Sequence, residues 1–388
     1  MPRYRCRPED FEVEEQLAYR PSGAGDHTYL WVEKRERTTE QVAAQIARAV
    51  RCSPSEVGYA GRKDRHAVAR QWFSAPGVEA DALQGVTLDG AVVLDVQRHP
   101  HRLRTGKLRA NRFRLVVRAV DVASAPQLER RLAALRRWGF ANRYGAQRFG
   151  AEGDNAERGR ELLARGVRPR QRRAARFLVS ALQAAVFNRL LERRRELLGE
   201  AGDDRLDHAG ARPIDRLVAG DLAVKTDSGG VFEVLDPAAE QPRADRGEIS
   251  PSGILFGRKA RFAGGAAGEL ERAVLEESGV ERAPRLPGLR LDGARRALRA
   301  HPTDLAWSLR GEELTMLFEL GSGSYATVLL DQLFDGLGLV EAAPSRYPGE
   351  PNDGPADRNA PELDAPELGG GDRQHGRATA NSRRGDLR

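Results

Sequence analysis

The stretch Gly58-Tyr59-Ala60-Gly61-Arg62-Lys63-Asp64-Arg65-His66-Ala67 decides how this chain is read. Val57, Tyr59 and Ala60 lead into a glycine, four charged residues follow, and the apolar pattern resumes with Val68, Trp72 and Phe73. That order predicts a strand, a tight charged turn and a second strand. The turn presents one carboxylate, Asp64, among Arg62, Lys63 and Arg65. Nearby cations favour the ionised form of a carboxylate, which suits an Asp that attacks or accepts a proton beside a polyanion. Taken alone, the segment also fits a charged β-turn without chemistry.

Composition bounds the rest. The chain has 388 residues, 40% of them hydrophobic, which allows a sizeable core in one large or two medium domains. Its formal net charge is +7 and its pI about 9.7. The positive charge is nearly all Arg, whose planar fork binds phosphate and stacks on bases. A basic globular chain of this kind points to nucleic acid, although Arg content alone decides little. Cys6 and Cys52 have neither zinc-ligand spacing nor a disulfide framework, so a reducing cytoplasm is expected. No apolar run reaches membrane-spanning length and no signal-peptide core is present, so no membrane partner is expected. His99 and His101 lie in an Arg-rich stretch with no carboxylate pattern around them, and no metal site is expected.

Phe11, Val13 and Glu15 alternate with Glu12 and Glu14 as in a strand, and Thr28 to Val32 reads as another. Thr38 or Thr39 can cap a helix that carries Val42, Ile46, Ala49 and Val50 on one face. Ala91 to Val96 and Phe113 to Val117 read as strands. Between Arg98 and Arg114 nine cationic or imidazole side chains gather, an electrostatic footprint for phosphates. A helix follows with Ser124 as cap, Leu128, Leu132 and Leu135 inward, and Gly139 as its stop. From Asn155 to about Leu198 the pattern is strongly helical, with Phe177, Ala181, Leu182 and Ala185 as a buried stripe. Asp227-Ser228-Gly229-Gly230 reads as a hairpin turn, and helices are expected near Gly268 to Leu275 and Gly293 to Ala300. Leu314, Met316, Phe318 and Leu320 alternate as a strand, and Ser322 is expected to cap a helix with Leu329, Leu330, Leu333 and Phe334. From Pro344 the chain is too polar to bury a core and is expected to be disordered.

Five segments carry a family likeness: Pro8-Glu9-Asp10-Phe11-Glu12-Val13-Glu14-Glu15; Gly61 to Ala67; Gly106-Lys107-Leu108-Arg109-Ala110-Asn111-Arg112-Phe113; Asn142-Arg143-Tyr144-Gly145-Ala146-Gln147-Arg148-Phe149-Gly150; and Gly323-Ser324-Tyr325-Ala326-Thr327. In this order they resemble the motifs of the TruD family of tRNA pseudouridine synthases. The resemblance implies an α/β (α+β) fold, in which a mixed, largely antiparallel sheet of the pseudouridine-synthase type is interrupted by an α-rich inserted TRUD-type domain. The expected divisions are a catalytic domain in two parts (residues 1–138 and 301–343), the insertion (139–300) and a tail (344–388).

The reaction so implied converts a uridine of the tRNA D-arm, position 13, into pseudouridine. It breaks an N-glycosidic bond, turns the base and makes a C–C bond to the same sugar, with no redox step and no cofactor. It needs a nucleophile that can split the isomerisation into covalent steps, and a pocket for a base drawn out of its stack. Asp64 matches the family nucleophile, Asn111 and Phe113 the strand that contacts the target, Phe11 the aromatic of the first motif, and Tyr325 an aromatic of the closing motif. Arg5, Arg102, Arg104 and Lys107 are the expected RNA contacts. No protein partner is implied, and a monomer is expected. Three departures stand out: Ala110 replaces a usual Gly, Tyr325 adds a hydroxyl that needs a partner where Phe is common, and Arg5 replaces a Lys behind a short lead-in strand. Two other readings compete. An RNA-binding module explains the Arg clusters without the lone carboxylate, and Gly321-Ser322-Gly323-Ser324 before a helix weakly suggests the phosphate cradle of a cofactor-dependent methyltransferase.

Overall fold

The computed structural model describes residues 1–77, 83, 86–150, 152–198, 214–280 and 284–342. The tail expected from Pro344 onward lies outside the described residues. The first part of the chain forms β1 (Arg3–Tyr4), β2 (Phe11–Leu17), β3 (His27–Arg35), α1 (Thr39–Ala49), β4 (Gly58–Tyr59), β5 (Val68–Pro76), β6 (Thr87–Leu88), β7 (Ala91–His99), β8 (Leu108–Arg118) and α2 (Ala125–Trp138). The middle forms β9 (Phe140–Ala141), α3 (Asn155–Arg165), α4 (Arg172–Leu197), β10 (Leu222–Lys225), β11 (Val231–Glu233), α5 (Pro237–Asp245), β12 (Ile249–Leu255), α6 (Gly265–Glu277), β13 (Ala294–Ala297) and β14 (Arg299–Ala300). The last part adds β15 (Thr303–Arg310), β16 (Glu313–Gly321), α7 (Ala326–Leu333) and β17 (Val340–Glu341).

Among the described residues eleven strands make one sheet along the path β15-β16-β8-β2-β5-β3-β7-β6, with β1, β17 and β4 attached to it. β2 pairs with β5 in parallel, as does β1 with β17, and the other pairings are antiparallel. The two ends of the chain thus meet in one sheet, as the alternation of Phe11 to Glu15 and Leu314 to Leu320 leads one to expect. Register places Phe11, Val13 and Glu15 of β2 opposite Leu115, Phe113 and Asn111 of β8, and Phe113 opposite Phe318 of β16. The inner face of this half packs under α2 and α7 through Leu128, Leu132, Leu135, Leu329, Leu330 and Leu333. The other half, β3, β5 and β7, packs under α1 through Leu30, Val32, Phe73, Val42 and Ile46.

Several local expectations change. Thr38, not Thr39, caps α1, in a reciprocal box with Gln41. Ala49 is exposed, and Ala43 and Ala47 complete the buried face instead. Ser124 makes no cap hydrogen bond; Asp121 caps the 3-10 turn ahead of α2. Gly139 does end α2, with φ of 68°, and a Cβ there would lie 2.2 Å from the Ala300 carbonyl oxygen. That closeness lets β9 pair with β14 where the chain leaves and re-enters the sheet.

The helical run from Asn155 breaks into α3 and α4 around Pro169, which cannot donate to a helix ladder. Phe177 is exposed, and the buried stripe of α4 is Ala175, Val179, Leu182, Val186 and Leu190. The helix expected near Gly293 to Ala300 is two strands. β13 pairs with β12 from Ser252–Ala297 to Leu255–Ala294, and this ladder outweighs the high helix propensity of Ala, Leu and Arg, which amounts to less than about 1 kcal/mol per residue. Ser322 caps nothing, since α7 begins after Tyr325. The Asp227–Gly230 turn joins β10 to β11 as expected. Among the described residues the middle of the chain holds, besides α3 to α6, a four-stranded sheet, β11-β10-β12-β13. Buried ion pairs tie it together, Arg194 to Asp221 at 2.7 Å and Arg295 to Glu271 at 2.5 Å.

Candidate active site

The Gly61–Ala67 loop leaves β4 and returns as β5, which is antiparallel to β4 with Tyr59 opposite Phe73. Gly58 is needed at its base, because a Cβ there would lie 2.2 Å from the Leu103 carbonyl oxygen. Thr39 of α1 and polar groups at inward positions of the sheet then hold the loop. The Lys63 amide donates to Thr39 Oγ1 at 2.9 Å, and Thr39 Oγ1 donates to Gln71 Oε1 at 2.9 Å. Gln71 Nε2 donates to the Gly61 carbonyl at 3.2 Å. Lys63 Nζ is 2.7 Å from Glu15 Oε2, a pair whose side chains are 5% and 0% exposed. The other Glu15 oxygen accepts from the Trp72 amide at 3.2 Å. Burial pushes the Glu15 carboxyl up, and Lys63 opposes that. Lys34, fully buried, donates to the Asp64 carbonyl at 2.6 Å and to the Arg37 carbonyl at 2.7 Å. Burial pushes its ammonium down to about 8.

So anchored, the loop leaves the Asp64 side chain 39% exposed. The cations beside it in sequence turn elsewhere: Arg62 to Glu40 at 2.5 Å, Lys63 to Glu15, and Arg65 to the Glu36 carbonyl. The cation on the carboxylate is Arg5, with Nη2 2.5 Å from Asp64 Oδ2. Arg5 sits in left-handed backbone (φ 58°) with its side chain only 6% exposed. Its guanidinium lies 4.1 Å from the centre of the Phe11 ring and reaches Glu341 Oε1 at 2.5 Å. Arg5, expected as an RNA contact, is therefore enclosed among Phe11, the Asp64 loop and β17, with one nitrogen on Asp64 and another on Glu341.

Phe11 and Phe113 lie on the same inner face, edge to face at 6.0 Å, and Phe113 stacks on Phe318 at 5.4 Å. Phe113 is 7% exposed. Asn111, two residues before it and opposite Glu15, has its side-chain oxygen buried with no hydrogen-bond partner. Ala110 is buried and paired with Gly321 and Gln16, so the strand runs on through the position where the likeness suggests Gly. The sheet thus brings Arg5, Phe11, Asp64, Asn111 and Phe113 to one face. Tyr325 stands at the border of the same core, with its ring 6.0 Å from that of Tyr144. Burial pushes its phenol up, and the cations of Arg148 and Arg296 pull it back.

The Arg98–Arg114 cluster is smaller than its sequence suggests. Arg98 is held by the Gly25 carbonyl and Thr28, Arg109 and Arg112 face Glu319, and Arg114 faces Glu12. Arg102 donates to the Val57 carbonyl at 3.0 Å, and Arg104 and Lys107 are exposed without an ion pair among the described residues. These three stand on the β7–β8 loop, whose Gly106 amide bonds to Ala60 next to the Asp64 loop. The Gly321–Ser324 segment is bound to the insertion, because the Gly323 carbonyl accepts from Arg296 at 3.0 Å. Among the described residues no group of three or more His, Cys, Asp or Glu side chains could hold a metal ion, both cysteines are free, and no helix is long and apolar enough to cross a membrane.

The supporting groups Glu15, Lys34, Thr39, Gln71, Arg296 and Glu341 were not singled out from the sequence. Two had a signal there: Glu15 and Lys34 are charges at inward positions of alternating strands, after Phe11 and Val13 and after Leu30 and Val32. Glu341 had none, because 336 residues separate it from Arg5.

Comparison with known proteins identifies the family of the chain. The family model for tRNA pseudouridine synthase D (TruD) matches residues 2–170 and 154–333. The tRNA pseudouridine synthase D of Anaeromyxobacter sp. (strain Fw109-5) is 43% identical over 346 residues, covering 87% of this chain and 94% of that protein. That of Thermus thermophilus is 39% identical over 346 residues, covering 88% and 91%. A crystal structure described as a tRNA pseudouridine synthase D from Methanosarcina mazei superimposes with a TM-score of 0.62 at 21% identity, over 85% of this chain and 92% of that one, a likeness of fold.

Proposed function

The chain belongs to the tRNA pseudouridine synthase D family, and from that premise we propose that it isomerises a uridine of tRNA, position 13 in the D-arm region, to pseudouridine, with Asp64 as nucleophile and no cofactor. The observation that carries this reading is the anchoring of the Gly61–Ala67 loop, which leaves one half-exposed carboxylate beside the buried cation of Arg5. The relatives' names support the tRNA substrate. That substrate class supports a cytoplasmic location for the enzyme.

In this mechanism the Asp64 carboxylate bonds to a carbon of the flipped-out nucleotide and the N1–C1′ bond breaks. The detached uracil turns, C5 bonds to C1′, the carboxylate leaves, C5 loses its proton and N1 gains one. Atoms and charge balance with no redox partner, which fits covalent catalysis by a carboxylate. Arg5 aims the Asp64 carboxylate, its Nη2 lying 2.5 Å from Oδ2. The unpartnered oxygen of Asn111 would accept the N–H of the uracil edge, since buried acceptors are rarely left unsatisfied. Phe11, Phe113 and Tyr325 supply the apolar and aromatic surface against which a flipped base rests. Arg102, Arg104 and Lys107, exposed beside the loop, would hold backbone phosphates.

The test is incubation of the purified protein with an unmodified tRNA transcript in the absence of any added cofactor, followed by mapping of pseudouridine by mass spectrometry. Pseudouridine at position 13 supports the proposal. Binding without isomerisation returns the chain to an RNA-binding module, and activity that requires an added cofactor favours the methyltransferase reading.

A further inference from the structure

Away from Asp64, residues near the start of the middle segment carry positive charge that meets no carboxylate among the described residues. Arg296 is buried against the Tyr144 ring, with its guanidinium 4.0 Å from the ring centre. Its acceptors are all neutral: the Asn142 carbonyl at 3.0 Å, Asn142 Oδ1 at 2.6 Å and the Gly323 carbonyl at 3.0 Å. Arg148 lies on the same aromatic group, 5.8 Å from Tyr144 and 5.9 Å from Phe177, with Nε buried and unpartnered. Burial pushes the Arg296 guanidinium down, Tyr144 and Tyr325 oppose that, and the nearby Arg148 adds a smaller push down. Two cations that repel each other without a carboxylate are an unfavourable arrangement unless an anion joins them.

The neighbouring face of α4 has the same character. Arg172, Arg173 and Arg176 are exposed and form no ion pair among the described residues. The carboxylates of the adjoining α3 segment are committed locally, Asp154 to Arg158 at 4.0 Å, Glu157 to Arg160, and Glu161 to Arg165 at 3.7 Å. α4 itself has no carboxylate before Glu192. On this basic face stands Phe177, 38% exposed. A row of contacts, Tyr325 to Tyr144 to Arg148 to Phe177, connects the face to the closing motif. Uncompensated guanidinium groups beside an exposed aromatic ring are the chemistry that binds single-stranded nucleic acid, the cations taking phosphates and the ring a base.

We propose that Arg148, Phe177 and the Arg172–Arg176 face of α4 form a second RNA subsite, which takes the phosphate and base of a nucleotide flanking the target uridine. The inference rests on the functional reading above, and it makes the insertion a binding wall that fixes how the RNA strand leaves the catalytic sheet.

The experiment measures tRNA affinity at several salt concentrations, together with the single-turnover rate at saturating enzyme. It compares the wild-type chain with Phe177→Ala, Arg148→Ala and the triple change Arg172→Ala, Arg173→Ala and Arg176→Ala. Thermal melts check that each variant folds. Each lost phosphate contact should flatten the slope of log affinity against log salt by roughly 0.7 to 0.9, so the triple variant should lose about two units. Phe177→Ala should weaken binding on the order of tenfold or more with the slope unchanged, and the saturating rate of every variant should stay within about twofold of wild type. Unchanged affinity and slope in all three, with wild type binding and modifying tRNA, overturns the subsite alone. A fall in saturating rate at unchanged affinity also overturns it. A wild-type chain that neither binds nor modifies tRNA removes the functional reading and the subsite together.

Discussion

Replacing Lys63 by Met tests whether the buried anchor beside Asp64 is what orders the loop. The change keeps most of the side-chain volume and removes the charge. It leaves Glu15, whose side chain is 0% exposed, with the Trp72 amide as its remaining partner among the described residues. Breaking one partner out of a buried ion pair costs about 3–5 kcal/mol, since the other charge is then buried uncompensated. Glu15 is already pushed up by burial in spite of Lys63, and without Lys63 it moves higher. A carboxyl raised above its unfolded value takes up a proton on folding, so its stabilising form is present at low pH and stability falls as pH rises through the folded value. The variant should therefore lose the full 3–5 kcal/mol near about pH 8 and progressively less towards about pH 5, at up to about 1.4 kcal/mol per pH unit. Urea denaturation followed by circular dichroism at a series of pH values reads this directly. Adding Glu15→Gln should remove the pH dependence and restore much of the stability. The single-turnover rate should fall further than the unfolded fraction explains, because the Lys63 backbone and side chain both hold the residue next to Asp64. A loss under about 1 kcal/mol that is flat with pH, the cost of an exposed pair, would refute the reasoning.

Phe113→Leu keeps most of the apolar volume between Phe11 and Phe318 and removes the flat ring. If that ring holds the extruded base, the rate falls on the order of ten- to a hundredfold with little change in melting temperature, whereas wild-type activity makes Phe113 a core residue only. Lys34, pushed down to about 8 by burial, binds its proton less well folded than unfolded; stability should rise by roughly 3 kcal/mol between pH 8 and the unfolded value near 10.4. Urea midpoints at about pH 7.5 and 9.5 read this rise, and Lys34→Met should flatten it; an equal slope in both proteins contradicts the assignment. A chain ending at Ala343 should keep its turnover, whereas one ending at Leu339 loses β17 and the Glu341 contact to Arg5 and should fall by more than about tenfold in single-turnover rate; equal rates would show that the contact does not position Asp64.

Most of the sheet was legible because its strands alternate on one covered face, which is what Phe11 to Glu15 and Leu314 to Leu320 display. What misled was local propensity read without its partner. Ala294 to Ala300 has the composition of a helix, but Ser252 to Leu255 offers a ladder that no property of the segment itself announces. Phe177 has the hydrophobicity of a core residue but lies two residues from both Ala175 and Val179, off the buried stripe of α4. Ser124 and Ser322 have the chemistry of caps, but Ser124 stands at the N-cap of α2 without a cap hydrogen bond and Ser322 stands ahead of the start of α7. At the site, the motif residues were legible one by one and their wiring was not. Charge beside Asp64 in sequence suggested Arg62, Lys63 and Arg65 as its cations, whereas the guanidinium that meets it belongs to Arg5, 59 residues away. Such pairings depend on strand order, which joins the two ends of the chain through β1, β8 and β17. Glu15 and Lys34 were the readable exceptions, since a charge at an inward position of a strand requires a partner.

The most direct test of the central claim is the single-turnover isomerisation of a tRNA transcript by Asp64→Asn, measured beside its equilibrium affinity for the same RNA. Asn keeps the size of the side chain and removes the nucleophilic carboxylate, whereas binding is assigned to arginines and aromatics elsewhere. The account predicts a rate lower by several orders of magnitude, with affinity within about threefold of wild type. A variant that isomerises the uridine at the wild-type rate would contradict it.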